Sequence, residues 1–149
     1  MLAGYQAFAE TLRAGGFSEP DTGWNASQIG AHVALSNELF SELADRRHGG
    51  EDISFDNSAL TDDAGLLAYA AKLGGTADLA DTVETMAARL ARAYERLTQE
   101  QRTRPIAVRI WSDGQLVADG PMPLGDLIVG NGEHHLAGHH EQLRALLTS

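Results

Sequence analysis

Leu79, Val83, Met86, Leu90, Tyr94 and Leu97 recur at intervals of 4, 3, 4, 4 and 3 residues. An α-helix turns once every 3.6 residues, so this spacing gathers all six apolar side chains into one stripe. A strand has a period of two and would scatter them over both faces. A helix with so regular a stripe needs apolar partners along its whole length, which makes a helix bundle the expected frame. Thr76 is the expected N-cap of this helix, and Pro105 cannot continue it.

The flanking segments fit the same frame. Leu2, Tyr5, Phe8 (or Ala9) and Leu12 share one face of a first helix that Gly15-Gly16 ends. After Trp24 a second helix runs through Ile29, His32 or Val33, Ser36, Leu39 or Phe40, and Leu43. Arg46-Arg47-His48 suit its negative C-terminal end, and Gly49-Gly50 stop it. Residues 51–63 form a long acidic connection of the kind that tends to cross over the fold or serve function. A short helix follows, from about Asp62 to Leu73, with Thr61 as a possible cap. Ile106, Val108 and Ile110 then alternate with their neighbours, and Asp113-Gly114 supplies a hairpin turn. Pro121 and Pro123 lead into a last helix from about Leu124 to Leu147. The expected fold is therefore all-α, a single domain over residues 1–149. It is a four-helix bundle with a short extra helix and a small β-hairpin before the last helix.

Composition narrows the function classes. The chain has 149 residues, with 11 Lys plus Arg against 21 Asp plus Glu, a formal net charge of −10. Phosphate backbones and anionic lipid surfaces are bound by clustered Lys and Arg, so neither nucleic acid nor a membrane surface is an expected partner. Cysteine is absent, which removes disulfides, Cys metal sites and a cysteine nucleophile. No signal-peptide pattern opens the chain and no apolar run is long enough to cross a bilayer, so a cytoplasmic location is expected.

Four of the six histidines fall in Glu133-His134-His135-Leu136-Ala137-Gly138-His139-His140. His135 and His139 are four apart, one turn above each other on a helix, so two imidazoles can share one divalent ion. Leu124, Ile128, Asn131, His135, His139 (or Gly138), Leu143 and Leu146 make one stripe at helical spacing, which turns this pair toward the core. His134 and His140 should flank it and reach solvent. His32 falls near the core stripe of the second helix, so three imidazoles can converge from facing helices. The plainer alternative is that these histidines only fill the core. Gln28 and Ser36, one turn either side of His32, could orient its ring or be ordinary bundle residues. Glu133 and Glu141 read as solvated surface charges, and Trp111 either covers a pocket or, more simply, packs the hairpin onto the bundle.

Trp24-Asn25-Ala26-Ser27-Gln28-Ile29-Gly30-Ala31-His32-Val33, taken with His135-Leu136-Ala137-Gly138-His139-His140-Glu141-Gln142-Leu143, resembles the DinB superfamily. The likeness is to its branch of mycothiol-dependent maleylpyruvate isomerase N-terminal domains and thiol S-transferases. The resemblance implies a bundle with an up-down-down-up path and a divalent metal held by His32, His135 and His139. Zinc is the first expectation, with nickel and iron as the other ions. It also implies a low-molecular-weight thiol of the mycothiol or bacillithiol type as co-substrate, since the chain has no thiol of its own. That thiol, activated at the metal, would attack a small-molecule electrophile in an S-transfer or an isomerisation. Full isomerases of the branch carry a further C-terminal domain while this chain stops at Ser149, so an S-transferase-like member is the nearer expectation. A non-catalytic metal- or small-ligand-binding protein, stress-related in role, is the alternative. The stripe from Leu79 to Leu97 could also serve a second copy, making a homodimer.

Overall fold

The computed structural model describes residues 1–148. It is mostly helical. Helix α1 (Leu2–Ala14) is followed by the long α2 (Ala26–His48), which begins at a reciprocal cap: the Asn25 side chain accepts from Gln28 N, and the Gln28 side chain accepts from Asn25 N. Strand β1 (Ser54–Asp56) and a 3₁₀ turn (Ser58–Leu60) occupy the acidic connection. Then come α3 (Asp63–Leu73), α4 (Thr76–Arg96) and the short α5 (Gln99–Thr103). Strands β2 (Pro105–Ser112) and β3 (Gln115–Pro123) form the hairpin. The last helical rod comprises α6 (Leu124–Gly130), a π turn (Asn131–His135) and α7 (Leu136–Ala145).

The stripe on α4 is absorbed by the interior, with Leu79, Val83 and Leu90 fully buried and Leu97 nearly so. Its partners are α1 and α2, and α7 packs against both of those helices. Gly30 makes room on α2 for side chains of α1 and α4: a Cβ there would stand 3.2 Å from Leu12 Cδ1 and 3.4 Å from Leu79 Cδ1. Two apolar clusters result. One joins Tyr5, Phe8, Leu12, Ile29, Val83 and Leu143. The other joins Phe40, Leu43, Phe55, Leu90, Val108 and Ile128. Between them Asn131 Nδ2 donates to Tyr5 Oη at 3.0 Å and to Asn37 Oδ1 at 3.1 Å, a buried polar bridge among three helices. Burial pushes the Tyr5 phenol well above its usual pKa, so it stays neutral.

The mostly helical expectation holds, and the β part is larger than the hairpin alone. The hairpin is two strands of a three-stranded sheet ordered β1-β2-β3, with β1 parallel to β2 and β3 antiparallel to it. A three-residue strand leaves too little alternation to stand out among charged neighbours, and only its pairing with β2 defines it. Two caps also differ. The Asp62 carboxylate, not Thr61, accepts from Gly65 N at the start of α3, and Gly75 rather than Thr76 precedes α4. α5, with its own cap at Thr98, was not expected either. Its Gln101 donates from Nε2 to the Arg47 carbonyl oxygen at 3.2 Å, tying off the end of α2.

The largest departure lies in the last helix. A π turn takes in one residue more than an α turn, which sets back the face of everything after it. Up to Asn131 the buried positions are Leu124, Gly125, Leu127, Ile128 and Asn131; beyond it they are Leu136, His140, Leu143 and Leu146. An unbroken α-helix would have placed His135 and His139 on that face. The π turn moves them off it.

Candidate metal centre

Three histidines from opposite ends of the chain meet at the edge of the bundle. Among the described residues, His32, His135 and His139 each offer a ring nitrogen, and these lie within 4.8 Å of one another. His135 Nε2 stands 3.0 Å from His32 Nε2 and 3.0 Å from His139 Nε2. Nitrogens sharing one tetrahedral zinc ion are roughly 3.3 Å apart, given bond lengths of about 2.05 Å. The cluster has the right dimensions for a single ion.

Its hydrogen bonds settle which nitrogens are free. The Leu60 carbonyl can only accept, so His32 Nδ1, 2.6 Å away, carries the proton and donates. His139 Nδ1 donates in the same way to Gln142 Oε1 at 2.8 Å. Both Nε2 atoms therefore turn bare lone pairs toward His135 Nε2, which can donate a proton to one of them at most. Converging lone pairs repel one another, and a cation removes that repulsion. The residues fit a divalent ion on this ground.

The electrostatics point the same way. Burial pushes the His32 pKa down to about 4, with the neighbouring His139 adding to the shift and the Leu60 hydrogen bond opposing it. Desolvation of its ring, then His139 and His32, holds His135 down at about 3. Desolvation also lowers His139, against the pull of Gln142. All three are neutral near pH 7, the form that ligates a metal.

The triad forms one wall of a cleft of about 1020 Å³. Trp24, eight residues before His32, covers the imidazoles: its ring lies 4.9 Å from His32 and stacks on His139 at 6.0 Å and 22°. Its Nε1 donates to Asp63 Oδ1 at 2.7 Å, joining the start of α2 to that of α3. Trp111 faces the cleft from β2, where a register shift between Ile110 and Trp111 turns the strand. Asn57 clasps it by accepting from Trp111 N at 2.6 Å and donating to Trp111 O at 3.0 Å. Trp111 thus takes the pocket-covering role of its two expected ones.

Several expectations shift. The pair His135 and His139 does not continue the core: His32 is buried, His139 half-buried and His135 exposed. His140, expected in solvent, is 9% exposed and takes the core position instead. It stands 2.8 Å from Thr11 Oγ1 and edge-on to Phe8 at 5.6 Å. Neither Gln28 nor Ser36 touches the His32 ring, since Gln28 serves the α2 cap and Ser36 Oγ donates to the His32 carbonyl at 2.7 Å. The orienting groups are Leu60 and Gln142. Leu60 is a backbone carbonyl and leaves no mark in a sequence. Gln142 lies three residues past His139, a spacing that brings two helical side chains together. Glu133, Glu141 and His134 are exposed, as expected, and His48 ends α2.

No family model, curated protein or solved structure matches the chain. Fold and site together define it as a mostly helical protein with a small mixed sheet and a three-histidine cluster that could hold a metal ion. No helix among the described residues is long and apolar enough to cross a membrane.

Proposed function

We propose that this chain is a divalent-metal-dependent enzyme of the DinB-like kind, related in action to low-molecular-weight thiol S-transferases or isomerases. This reading carries with it the up-down-down-up path for the four main helices, and zinc as the first candidate ion, ahead of nickel and iron. The observation that supports it is the convergence of three imidazole nitrogens, two of them with tautomers held by Leu60 and Gln142, on an open cleft. A structural zinc site is closed by four protein ligands, and three with a cleft beyond them is the catalytic pattern. A divalent ion bound there supplies an acidifying position for a small thiol, of the mycothiol or bacillithiol type, or for water.

The chain's own residues hold and shield. His32, His135 and His139 hold the ion, Trp24 covers the rings, and Trp24 with Trp111 walls the space where an electrophile would lie. The thiol proton leaves, sulfur bonds to the electrophilic carbon, and in a transfer the displaced group departs with its electron pair. In the isomerisation variant the sulfur adds to a conjugated double bond, the new single bond rotates, and the sulfur leaves. The open cleft lets solvent take the proton.

The test is metal content of untagged protein purified without added metal, followed by thiol consumption with a generic electrophile. The expected result is near-stoichiometric divalent metal and thiol turnover that both vanish in His32→Ala. Metal without thiol turnover would leave the alternative, a non-catalytic metal- or ligand-binding protein. No metal, even after incubation with zinc, would overturn both.

A further inference from the structure

Apart from the three imidazoles, the ionisable groups lining the cleft are all carboxylates: Asp62, Asp63 and Asp113. Among the described residues, no Lys or Arg lines it. Arg109, on β2, turns its guanidinium onto the Trp111 ring at 5.3 Å and stands beside Asp56 on the neighbouring strand. Asp62 and Asp63 are fixed in place, one accepting from Gly65 N and the other from Trp24 Nε1, both at the start of α3. Asp113 sits across the cleft in the hairpin turn. Both tryptophans of the chain face the same space and present aromatic surface, which favours cations over anions.

The carboxylates do not make this site; the imidazole triad and the cavity do. They set its sign. The charge of a bound divalent ion also reaches into the cleft, but the three carboxylates together outweigh it, so the part of a bound molecule farthest from the ion lies among acidic groups and indole faces. Field lines in a cleft with low-dielectric walls are concentrated within it, so fixed charges there act more strongly than on an open surface. An anionic arm would find no cationic side chain to pair with.

We propose that the cleft selects small ligands whose part beyond the metal-binding atom carries an ammonium, over neutral ones and above all over carboxylates. The inference rests on the metal-site reading and adds the charge class of the substrate to it.

Full-length protein loaded with cobalt(II) is titrated with histamine, 4-methylimidazole and imidazole-4-acetate. The three offer the same ring nitrogen with a cationic, a neutral and an anionic arm. Cobalt absorption reports ligation, and fluorescence of the two tryptophans reports occupancy of the cleft. Because the rings differ in basicity, the quantity read is the ratio of the acetate's Kd to histamine's, in wild type and in the Asp62→Asn/Asp63→Asn/Asp113→Asn variant. Asn retains an acceptor for the α3 cap and for Trp24 and suits the hairpin turn. The ratio should fall roughly tenfold in the variant, and should narrow at high salt in the wild type. The salt series keeps the test independent of how the variant folds. An unchanged ratio, or a wild type that prefers imidazole-4-acetate, overturns the inference and leaves the metal site standing. Failure to bind cobalt at all removes the metal site, and the inference with it.

Discussion

His32 shows how much a single ring depends on its neighbours. Its Nδ1 is fixed by a backbone carbonyl from the 3₁₀ turn, its face is covered by Trp24, and its Nε2 points at His135. Replacing His32, His135 or His139 by Ala should each lower zinc affinity by at least about 100-fold, as measured by competition with a chromophoric chelator. Gln142→Leu removes only the group that holds the His139 tautomer. It should cost roughly 10- to 100-fold in affinity while leaving the melting temperature of the metal-free protein nearly unchanged, because Gln142 is exposed. The lowered pKa values carry a pH signature. At pH 5.5, three independent imidazoles of ordinary pKa would each be mostly protonated and together lose about 1000-fold in affinity relative to the neutral forms. Here zinc affinity should change far less between pH 7.5 and 5.5, a difference that isothermal titration resolves. Stability of the metal-free fold follows the same shifts with a definite sign. Folded pKa values below the unfolded value near 6.5 mean that the unfolded chain gains protons first, so stability is complete above that pH. It is then lost as pH falls toward about 4, the folded value of His32.

At the scale of elements, the π turn is what divides metal ligands from core residues. Leu136 and His140 continue the buried face while His135 and His139 look into the cleft, although all four lie within six positions. Deleting Gly132 removes the extra residue of that turn, so the rod should become a continuous α-helix with Leu136, His140 and Leu143 still on the core face and His135 and His139 still facing the cleft. Inserting an Ala after Gly132 instead should turn α7 by roughly 100° and carry both histidines out of the cleft. Zinc binding should survive the deletion and be lost in the insertion, with circular dichroism checking that helix content survives in both. Asn131, which opens the turn, bridges Tyr5 and Asn37. Asn131→Leu strips both of their donor and should cost about 1–3 kcal/mol in denaturant unfolding. The stripe of the last helix, written as one period from Leu124 to Leu146, holds at Leu124, Ile128, Asn131, Leu143 and Leu146 and fails at His135 and His139. Identical spacing runs through a π turn, and a pattern of apolar residues does not announce the extra one.

The whole molecule brings the ligands together across the sequence. His32 and His135 lie 103 residues apart, so an ion held by both staples α2 to the last helix. An ion that binds only the folded state stabilises it by mass action, so about 2.7 kcal/mol is expected at a hundredfold excess over Kd. Differential scanning calorimetry should show the corresponding rise on adding zinc, and no rise in His32→Ala. The cleft itself belongs to this scale. Trp24, the start of α3, the hairpin turn and the triad come from four separate stretches, and only packing of the sheet against the bundle sets them around one space.

The sequence by itself marked the main helices, their order and the three histidines, though not α5 or the π turn, because apolar spacing at 3.6 residues and the i, i+4 separation of His135 and His139 are local properties. Local chemistry also marked Asp113-Gly114 as the hairpin turn, whereas α4 ends at Arg96, well before Pro105. Tertiary structure alone decided the rest. β1 exists because it pairs with β2, the His32 ring is oriented by a carbonyl that every residue possesses, and the triad faces a cleft because the π turn swings it off the core. Each of these depends on a partner distant in the chain or on backbone geometry, and neither is written in the type of any one residue.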